Sequence, residues 1–331
     1  MEDSFFIKKL ETEVKNETTR RNYINQLQAF LAKVKEHLGD AHPSNLVNHI
    51  LKHPTKYSQL IVKFYPKDSS RKTMHAMVLS VFKHSDTKCK YDKHYKKWKE
   101  FYDKYKELVN NAIGKQEPSP EQKEKFLSFA EMQKGIDSLR KDDPHSSLAA
   151  SLRFCLINMY MHIRPKRCDF ADIKIFHKDP KNENDNYLVL PGKGHAHFVF
   201  NRQTKTKIDE PLVETIDDSL RDVFMDSLKK YPRDHLFVGK NGDKFKSPKT
   251  FGQFVVRTYV TVYGKKTGVS MQRHIFNTEK IDFQRMSHNY RKEIAKSMGH
   301  SMTQQDLYHW AITKDKEGKV TFDTADDKIK I

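Results

Sequence analysis

Apolar residues near the start of the chain recur with the spacing of a helix. One stretch follows a potential capping pair, Thr18-Thr19, and has apolar residues at Ile24, Leu27, Phe30, Leu31, Val34 and Leu38. A second stretch follows Ser69-Ser70 and has them at Met74, Met77, Val78, Val81 and Phe82. Both patterns predict amphipathic helices that bury one face.

Both predicted helices carry basic residues in their first turn, Arg20-Arg21 and Arg71-Lys72. Cations at this end oppose the helix dipole. Either water solvates them or a phosphate lies nearby, so these four residues are candidates for DNA contact. A third stretch, Cys89 to Val109, interleaves lysines with aromatic residues, which is typical of a helix with one packed and one charged face. Lys96 and Lys97 are its candidate phosphate contacts, and a solvated face is the alternative.

The segment 114–120, GKQEPSP, has the composition of a linker. It separates a predicted all-helical domain, residues 1–113, from a second domain, residues 121–313. In the second domain helical patterns flank an alternating, β-rich zone with strands near Tyr187–Leu190, Phe198–Phe200 and Leu212-Val213. Residues 314–331 form a charged tail. The expected fold is mainly α with a small antiparallel β-sheet.

The chain of 331 residues has a formal net charge of +18, with 37% hydrophobic and 31% charged residues. A positive surplus of this size favours a polyanionic partner, although a solubilising lysine-rich surface is the alternative. No apolar run reaches the length of a membrane span, and the N-terminus lacks a secretory pattern, so we expect an intracellular protein. Three cysteines, Cys89, Cys155 and Cys168, argue against a disulfide framework.

A glycine-bounded histidine lies eight residues before a tyrosine in the segment Met298-Gly299-His300-Ser301 to Tyr308. This pattern is unusual for a core element. It fits phosphoryl transfer to a tyrosine if arginines and a lysine lie upstream, because the transition state places extra negative charge on the non-bridging phosphate oxygens. A lysine can protonate the leaving oxygen. His195 and His197 are better explained as turn residues than as metal ligands.

Ser270-Met271-Gln272-Arg273-His274, together with the Gly299-His300 turn and Tyr308, resembles the signature of the tyrosine recombinase (integrase) family. The N-terminal segments Thr19–Tyr23 and Ser70–Thr73 resemble its helical, SAM-like core-binding domain. The resemblance covers nearly the whole chain. It is closest to recombinases of large DNA viruses, virophages and mobile elements of protists. If the chain is virus-encoded, this resemblance implies the host nucleus or a viral factory as its location.

The resemblance implies that Tyr308 is the nucleophile, that His300 contacts the scissile phosphate and that Arg273 is the second catalytic arginine. His288-Asn289-Tyr290-Arg291 matches the family's H-x-x-R box more literally. However, Arg291 lies only nine residues before His300, whereas Arg273 lies 27 before it and leaves room for the intervening helix. With Arg273 chosen, Ser270 replaces the first histidine of that box.

Two positions keep alternatives open. For the first catalytic arginine, the P-x-R-x-D-(Y/F) pattern selects Arg167, and the commoner L-R-x-S-E pattern selects Arg164. For the lysine of the hairpin, the F-x-F-N pattern followed by K-T selects Lys205, and the G-K-G pattern selects Lys193. We favour Arg167 and Lys205.

The resemblance further implies site-specific recombination of double-stranded DNA, by integration or excision, through a 3′-phosphotyrosyl intermediate. Two domains would clamp the duplex, a homotetramer would assemble on DNA, and no metal or other cofactor would be needed. Two alternatives are a type IB topoisomerase-like enzyme that nicks and closes strands and a catalytically decayed DNA-binding protein.

Overall fold

The computed structural model describes residues 3–84, 91–203, 210–282, 285–315 and 319–323. The chain divides into two compact units, residues 1–115 and residues 116–331. Across the described ranges, no helix is long and apolar enough to cross a membrane. The segment predicted as a linker, residues 114–120, connects a helix that ends at Gly114 to a helix that begins at Pro120 and includes both of these residues.

In the described part of the first unit, all regular secondary structure is helical. Its helices are α1 (Asp3–Glu13), α2 (Glu17–Leu38), α3 (Leu46–Lys52), α4 (Pro54–Phe64), α5 (Asp68–His84) and α6 (Asp92–Gly114). The predicted periodic positions form its core, since Leu27, Phe30 and Met77 are almost fully buried. Trp98 of α6 is also buried and donates from Nε1 to the carbonyl of Leu51 at 3.3 Å.

The two long helices begin earlier than their sequence patterns predicted. Asn16, not Thr18-Thr19, caps α2, because its Oδ1 accepts the backbone N–H of Thr19 at 2.9 Å. Acidic residues therefore occupy the first turns, Glu17 in α2 and Asp68 in α5. Because an acidic residue precedes Arg20-Arg21 and Arg71-Lys72 at the start of each helix, the prediction that only cations face this end of the helix dipole is wrong.

The second unit combines helices with a small sheet, so the prediction of a mainly helical fold with a small sheet is confirmed. Its helices are α7 (Pro120–Lys125), α8 (Phe129–Lys141), α9 (Leu148–His162), α10 (Asp218–Lys230), α11 (Pro248–Tyr263), α12 (Val269–Glu279), α13 (His288–Ser297) and α14 (Met302–Asp306). Its strands are β1 (Lys174–Phe176), β2 (Tyr187–Val189), β3 (His197–Phe200), β4 (Leu212–Thr215), β5 (Ile312–Lys314) and β6 (Val320–Phe322).

Within the described residues, β1 to β4 form one sheet in the order β1-β2-β3-β4. The two pairs β2–β3 and β3–β4 are antiparallel, and Phe200 lies opposite Leu212. However, β1 pairs with β2 in parallel, so the sheet is not purely antiparallel as expected. The core packs around α9, most of which is buried, and around the phenylalanines of β3.

The predicted tail begins inside a second, two-stranded sheet. Lys314 ends β5, and β6 pairs with β5 in antiparallel register. Phe322 of β6 packs edge-on against Phe126 and Trp310, with ring centroids 5.0 and 5.8 Å away. Residues up to Phe322 are therefore part of the second unit.

Candidate active site

Arg273 lies on the buried face of α12 and contacts Tyr308. Only 4% of Arg273 is exposed, and its Cζ lies 4.7 Å from the centroid of the Tyr308 ring. Burial lowers the pKa of its guanidinium. Among the described residues, its Nε and Nη1 have no hydrogen-bond partner. Two unused donors leave the charge of this guanidinium unpaired, which is costly in a buried position unless an anion binds there.

His300 follows a sharp turn at the end of α13. Gly299 has φ 71°, and the backbone N–H of His300 donates to the carbonyl of Ala295 at 3.1 Å. The His300 ring is 9% exposed, and its centroid lies 5.3 Å from that of Tyr308. Burial, reinforced by Arg273 and Arg167, lowers the pKa of His300 to about 3. At neutral pH the imidazole therefore carries no charge and offers one donor and one acceptor.

Of the two candidate first arginines, Arg167 is the one that lies with Arg273 and His300. Its Nη1 donates to the carbonyl of Gly299 at 2.9 Å, and its charge contributes to the low pKa of His300. Arg164 contacts the end of α13 instead, since its Nη1 is 3.4 Å from Ser297 Oγ, and it does not contribute to the low pKa of His300.

A buried lysine joins the loop after α9 to the turn that carries His300. Lys166 is 1% exposed, and its Nζ lies 2.8 Å from Glu214 Oε2 and 2.7 Å from the carbonyl of Ser297. It also lies 4.3 Å from the centroid of the Phe200 ring. The ammonium of Lys166 therefore connects β4 to the end of α13 and has a structural role.

Of the two candidate lysines, the structure describes only Lys193. Lys205 lies outside the described residues. Gln203, close before it in the chain, lies against the His300 turn, because a Cβ at Gly299 would come within 2.7 Å of Gln203 Oε1. Lys193 is exposed in the connection between β2 and β3.

An open cavity of about 770 Å³ borders the two arginines. Arg167, Arg273 and Ser270 line one part of it, and α11 lines another. The residues that α11 contributes include Lys249, Gln253 and Arg257, all exposed. Sequence reasoning missed these three, although their spacing of four residues is a helical-face signal.

The candidate phosphate contacts of the first unit are largely engaged in pairs with neighbouring groups. Exposed ion pairs join Arg21 to Glu17 at 2.9 Å, Lys96 to Asp92 at 2.8 Å and Lys97 to Glu100 at 2.6 Å. Arg20 donates from Nη1 to the carbonyl of Glu11 at 3.2 Å. Exposed pairs of this kind contribute little stability and leave the cations accessible.

Arg71 is held more firmly than the other cations of the first unit. Its Nη1 lies 2.8 Å from Asp68 Oδ1, and its Nε donates to the carbonyl of Tyr65 at 2.8 Å. These contacts join the end of α4 to the start of α5. Lys72, the next residue, is half-buried.

Arg291, which was not chosen as the second catalytic arginine, lies on α13, and its Nη1 is 3.9 Å from Asp306 Oδ1. Ser270 is exposed near the start of α12.

In the part of the chain that the structure describes, no group of three or more histidine, cysteine or carboxylate side chains is arranged to hold a metal ion.

Comparison with known proteins finds similarity only at the level of solved structures. No protein-family model matches the chain, and no curated protein matches it. Among solved structures, the chain is similar to the crystal structure of XerA recombinase, with 15% sequence identity, a TM-score of 0.38 and coverage of 92% of both chains.

Proposed function

We propose that the second unit breaks and rejoins DNA strands, with Tyr308 as the nucleophile. The observation that carries the proposal is the contact of the Arg273 guanidinium with the Tyr308 ring, 4.7 Å away, beside a buried neutral histidine. Arg273 and His300 both have nitrogens without partners among the described residues. A phosphate diester would supply the missing acceptors and is the group that tyrosine would attack.

In the proposed reaction, the phenolic oxygen of Tyr308 forms a bond to the scissile phosphorus while the bond from phosphorus to the 5′-oxygen breaks. The tyrosine loses its proton, and the leaving 5′-oxygen gains one. The product is a 3′-phosphotyrosyl link and a free 5′-hydroxyl. Attack of a 5′-hydroxyl on the same link reverses the steps, so that rejoining requires no external energy source.

Arg167 and Arg273 would hold the non-bridging oxygens, because two guanidinium groups can neutralise the charge that grows on them. His300 would donate one hydrogen bond to the same oxygens from its neutral ring. Its neutrality has a physical advantage, since a third cation beside two arginines would be strongly disfavoured. Lys205 remains our proposal for the acid that protonates the 5′-oxygen, and Lys193 is the second choice.

DNA would cross the open cavity along α11. Lys249 and Arg257 lie on the part of that helix that lines the cavity together with Arg167 and Arg273. The net charge of +18 adds long-range attraction for DNA. We propose that the reaction is site-specific recombination, by integration or excision, in a tetramer assembled on duplex DNA.

The decisive experiment traps the covalent intermediate. The probe is a set of nicked suicide duplexes tiled over the DNA that flanks the gene, in which the cleaved fragment diffuses away. Wild-type protein should form an adduct that survives denaturing electrophoresis. Tyr308→Phe should abolish the adduct because it lacks the attacking oxygen.

The matched control is Tyr290→Phe, which removes a hydroxyl from a tyrosine that is 44% exposed on α13. This variant and Arg291→Ala should both retain the adduct. An adduct that survives Tyr308→Phe would overturn the assignment of the nucleophile. Plasmid relaxation by a monomer, without strand exchange, would favour a topoisomerase-like enzyme instead.

A further inference from the structure

The segment that carries Tyr308 has little regular structure of its own. Helix α14 ends at Asp306, and strand β5 begins at Ile312. Tyr308 is linked locally by one hydrogen bond, from its N–H to the carbonyl of Gln305 at 3.0 Å. A five-residue helix is only marginally stable on its own and gives little support to a residue beyond its end. Contacts with another element must therefore fix the direction of the tyrosine.

Helix α12 supplies those contacts through one face. His274 Nδ1 lies 3.1 Å from the carbonyl oxygen of Tyr308. One residue further, His309 Nδ1 lies 3.0 Å from the carbonyl oxygen of Asn277. The N–H of Trp310 then donates to Thr278 Oγ1 at 3.2 Å. Positions 274, 277 and 278 have the spacing of neighbours on one helix face, so α12 holds three consecutive residues.

His274 makes the closest of these contacts to the nucleophile. Its ring stacks on Trp310, with centroids 4.1 Å apart and an interplanar angle of 15°. It meets the Tyr308 ring edge-on, with centroids 4.7 Å apart. Because a carbonyl oxygen only accepts hydrogen bonds, the 3.1 Å contact requires the proton on Nδ1. Burial lowers the pKa of His274 to about 4, so this neutral tautomer persists at physiological pH.

We propose that His274 is a positioning residue that aligns Tyr308 for attack, an inference that rests on the function proposed above. His274 follows Arg273 directly in the helix. The guanidinium of Arg273, which would bind the phosphate, contacts the Tyr308 ring, and His274 contacts the main-chain carbonyl of Tyr308. A single peptide unit thereby couples the position of the phosphate to the position of the nucleophile.

The test separates alignment from folding and from binding. His274→Phe keeps an aromatic ring between Tyr308 and Trp310 and removes the donor. We expect single-turnover cleavage of the suicide duplex to slow by about 10- to 100-fold, because small misplacements of reacting groups have effects of that size. The dissociation constant for the duplex should stay within about twofold, since the variant keeps every phosphate contact.

Two further variants make the result specific. His274→Asn places an amide donor near the position of Nδ1 and should recover part of the cleavage rate. The matched control is His288→Phe, at an exposed position on α13, which should cleave like wild-type protein. Thermal unfolding of each variant identifies any loss that comes from misfolding. Equal cleavage by wild-type protein and His274→Phe would overturn the proposal.

A spectroscopic measurement keeps the two proposals distinguishable. Nitrogen-15 spectra of the histidine side chains identify His274 by the signal that His274→Phe lacks. The Nδ1–H tautomer is expected at neutral pH, and an Nε2–H tautomer would overturn the inferred contact whatever the activity. Absence of any adduct from wild-type protein would instead overturn the function, with the tautomer unaffected.

Discussion

The guanidinium carbon of Arg273 lies 4.7 Å from the centroid of the Tyr308 ring, at a position where 4% of the arginine is exposed. These residues are 35 positions apart in the chain, and they meet because the segment that follows α14 packs against α12. The contact places a cation beside a phenol whose attack would need a charged phosphate close by. Nε and Nη1 of the buried Arg273 have no hydrogen-bond partner among the described residues, so this side chain should lower the stability of the folded protein.

Replacing Arg273 should stabilise the protein while it abolishes cleavage. Arg273→Met removes an unsatisfied buried charge and keeps much of the side-chain volume. We expect the free energy of unfolding to rise by about 1 to 3 kcal/mol. Denaturant unfolding measures the stability, and the suicide duplex measures cleavage.

Lys166→Met is the control, because Lys166 is equally buried but is paired with Glu214. Its removal leaves a partly buried carboxylate without its partner, so the free energy of unfolding should fall by about 3 kcal/mol. Equal destabilisation by the two substitutions would contradict the interpretation of Arg273 as an empty anion site.

Stability should decrease as the pH falls below the ordinary pKa of histidine. Burial lowers the pKa of His300 to about 3 and of His274 to about 4, from 6.5. Between pH 6.5 and these values the unfolded chain binds protons that the folded chain does not, so acid favours unfolding. At pH 5 the two groups together should reduce the free energy of unfolding by about 2 to 4 kcal/mol relative to pH 7.

Urea unfolding of wild-type protein and of the double variant His274→Phe/His300→Gln at both pH values measures this loss. The double variant should lose less stability on acidification, because neither position can then take up a proton. His288→Gln, at an exposed position, should behave like wild-type protein. An identical loss in wild-type protein and the double variant would show that other groups cause the pH dependence.

Substituting Gly299 should disturb the His300 turn for two reasons. Its φ of 71° is unfavourable for residues with a Cβ, and a Cβ would lie 2.7 Å from Gln203 Oε1. Gly299→Ala should therefore lower the free energy of unfolding by about 2 kcal/mol. Gly264→Ala should cost about half as much, because that glycine has a similar φ of 68° but no atom within 4 Å of a built Cβ.

A double-mutant cycle isolates the steric part of this effect. Gln203→Ala removes the atoms that the new Cβ would meet, so adding it to Gly299→Ala should recover part of the lost stability. Strict additivity of the two changes would mean that Gln203 moves away without cost.

Cations of α11 should contribute to DNA affinity. Lys249→Ala and Arg257→Ala should each weaken binding of a random-sequence duplex and reduce the slope of log affinity against log salt by about 1. Fluorescence anisotropy over a series of salt concentrations measures both quantities. Lys229→Ala, at an exposed position on α10, serves as the control. Unchanged slopes for both α11 variants would exclude the cavity as the path of DNA.

The first unit offers a contrast between two neighbouring cations. Arg71 joins α4 to α5 through Tyr65 and Asp68, so Arg71→Ala should lower the free energy of unfolding by about 1 to 3 kcal/mol. Lys72→Ala should leave stability within about 0.5 kcal/mol and, if Lys72 binds phosphate, weaken DNA binding. The reverse ranking of the two variants in denaturant unfolding would contradict the structural assignment of Arg71.

The sequence by itself determined the features that depend on near neighbours. Helical periodicity identified the buried faces of α2 and α5, because one face of each helix has to leave water. Gly299 marked the sharp turn before His300, since glycine adopts a positive φ readily. Alternation of apolar residues also located β3 and its partner β4.

Only the tertiary structure decided which distant residues meet. Arg164 and Arg167 are almost equivalent in sequence, yet Arg167 reaches Gly299, whereas Arg164 reaches Ser297. The spacing of Lys249, Gln253 and Arg257 indicates one helix face but not that this face borders the two arginines, and no local pattern indicates the contact of His274 with Tyr308. The physical reason is that such contacts depend on how whole elements pack around a shared core, and neighbours along the chain do not determine that packing.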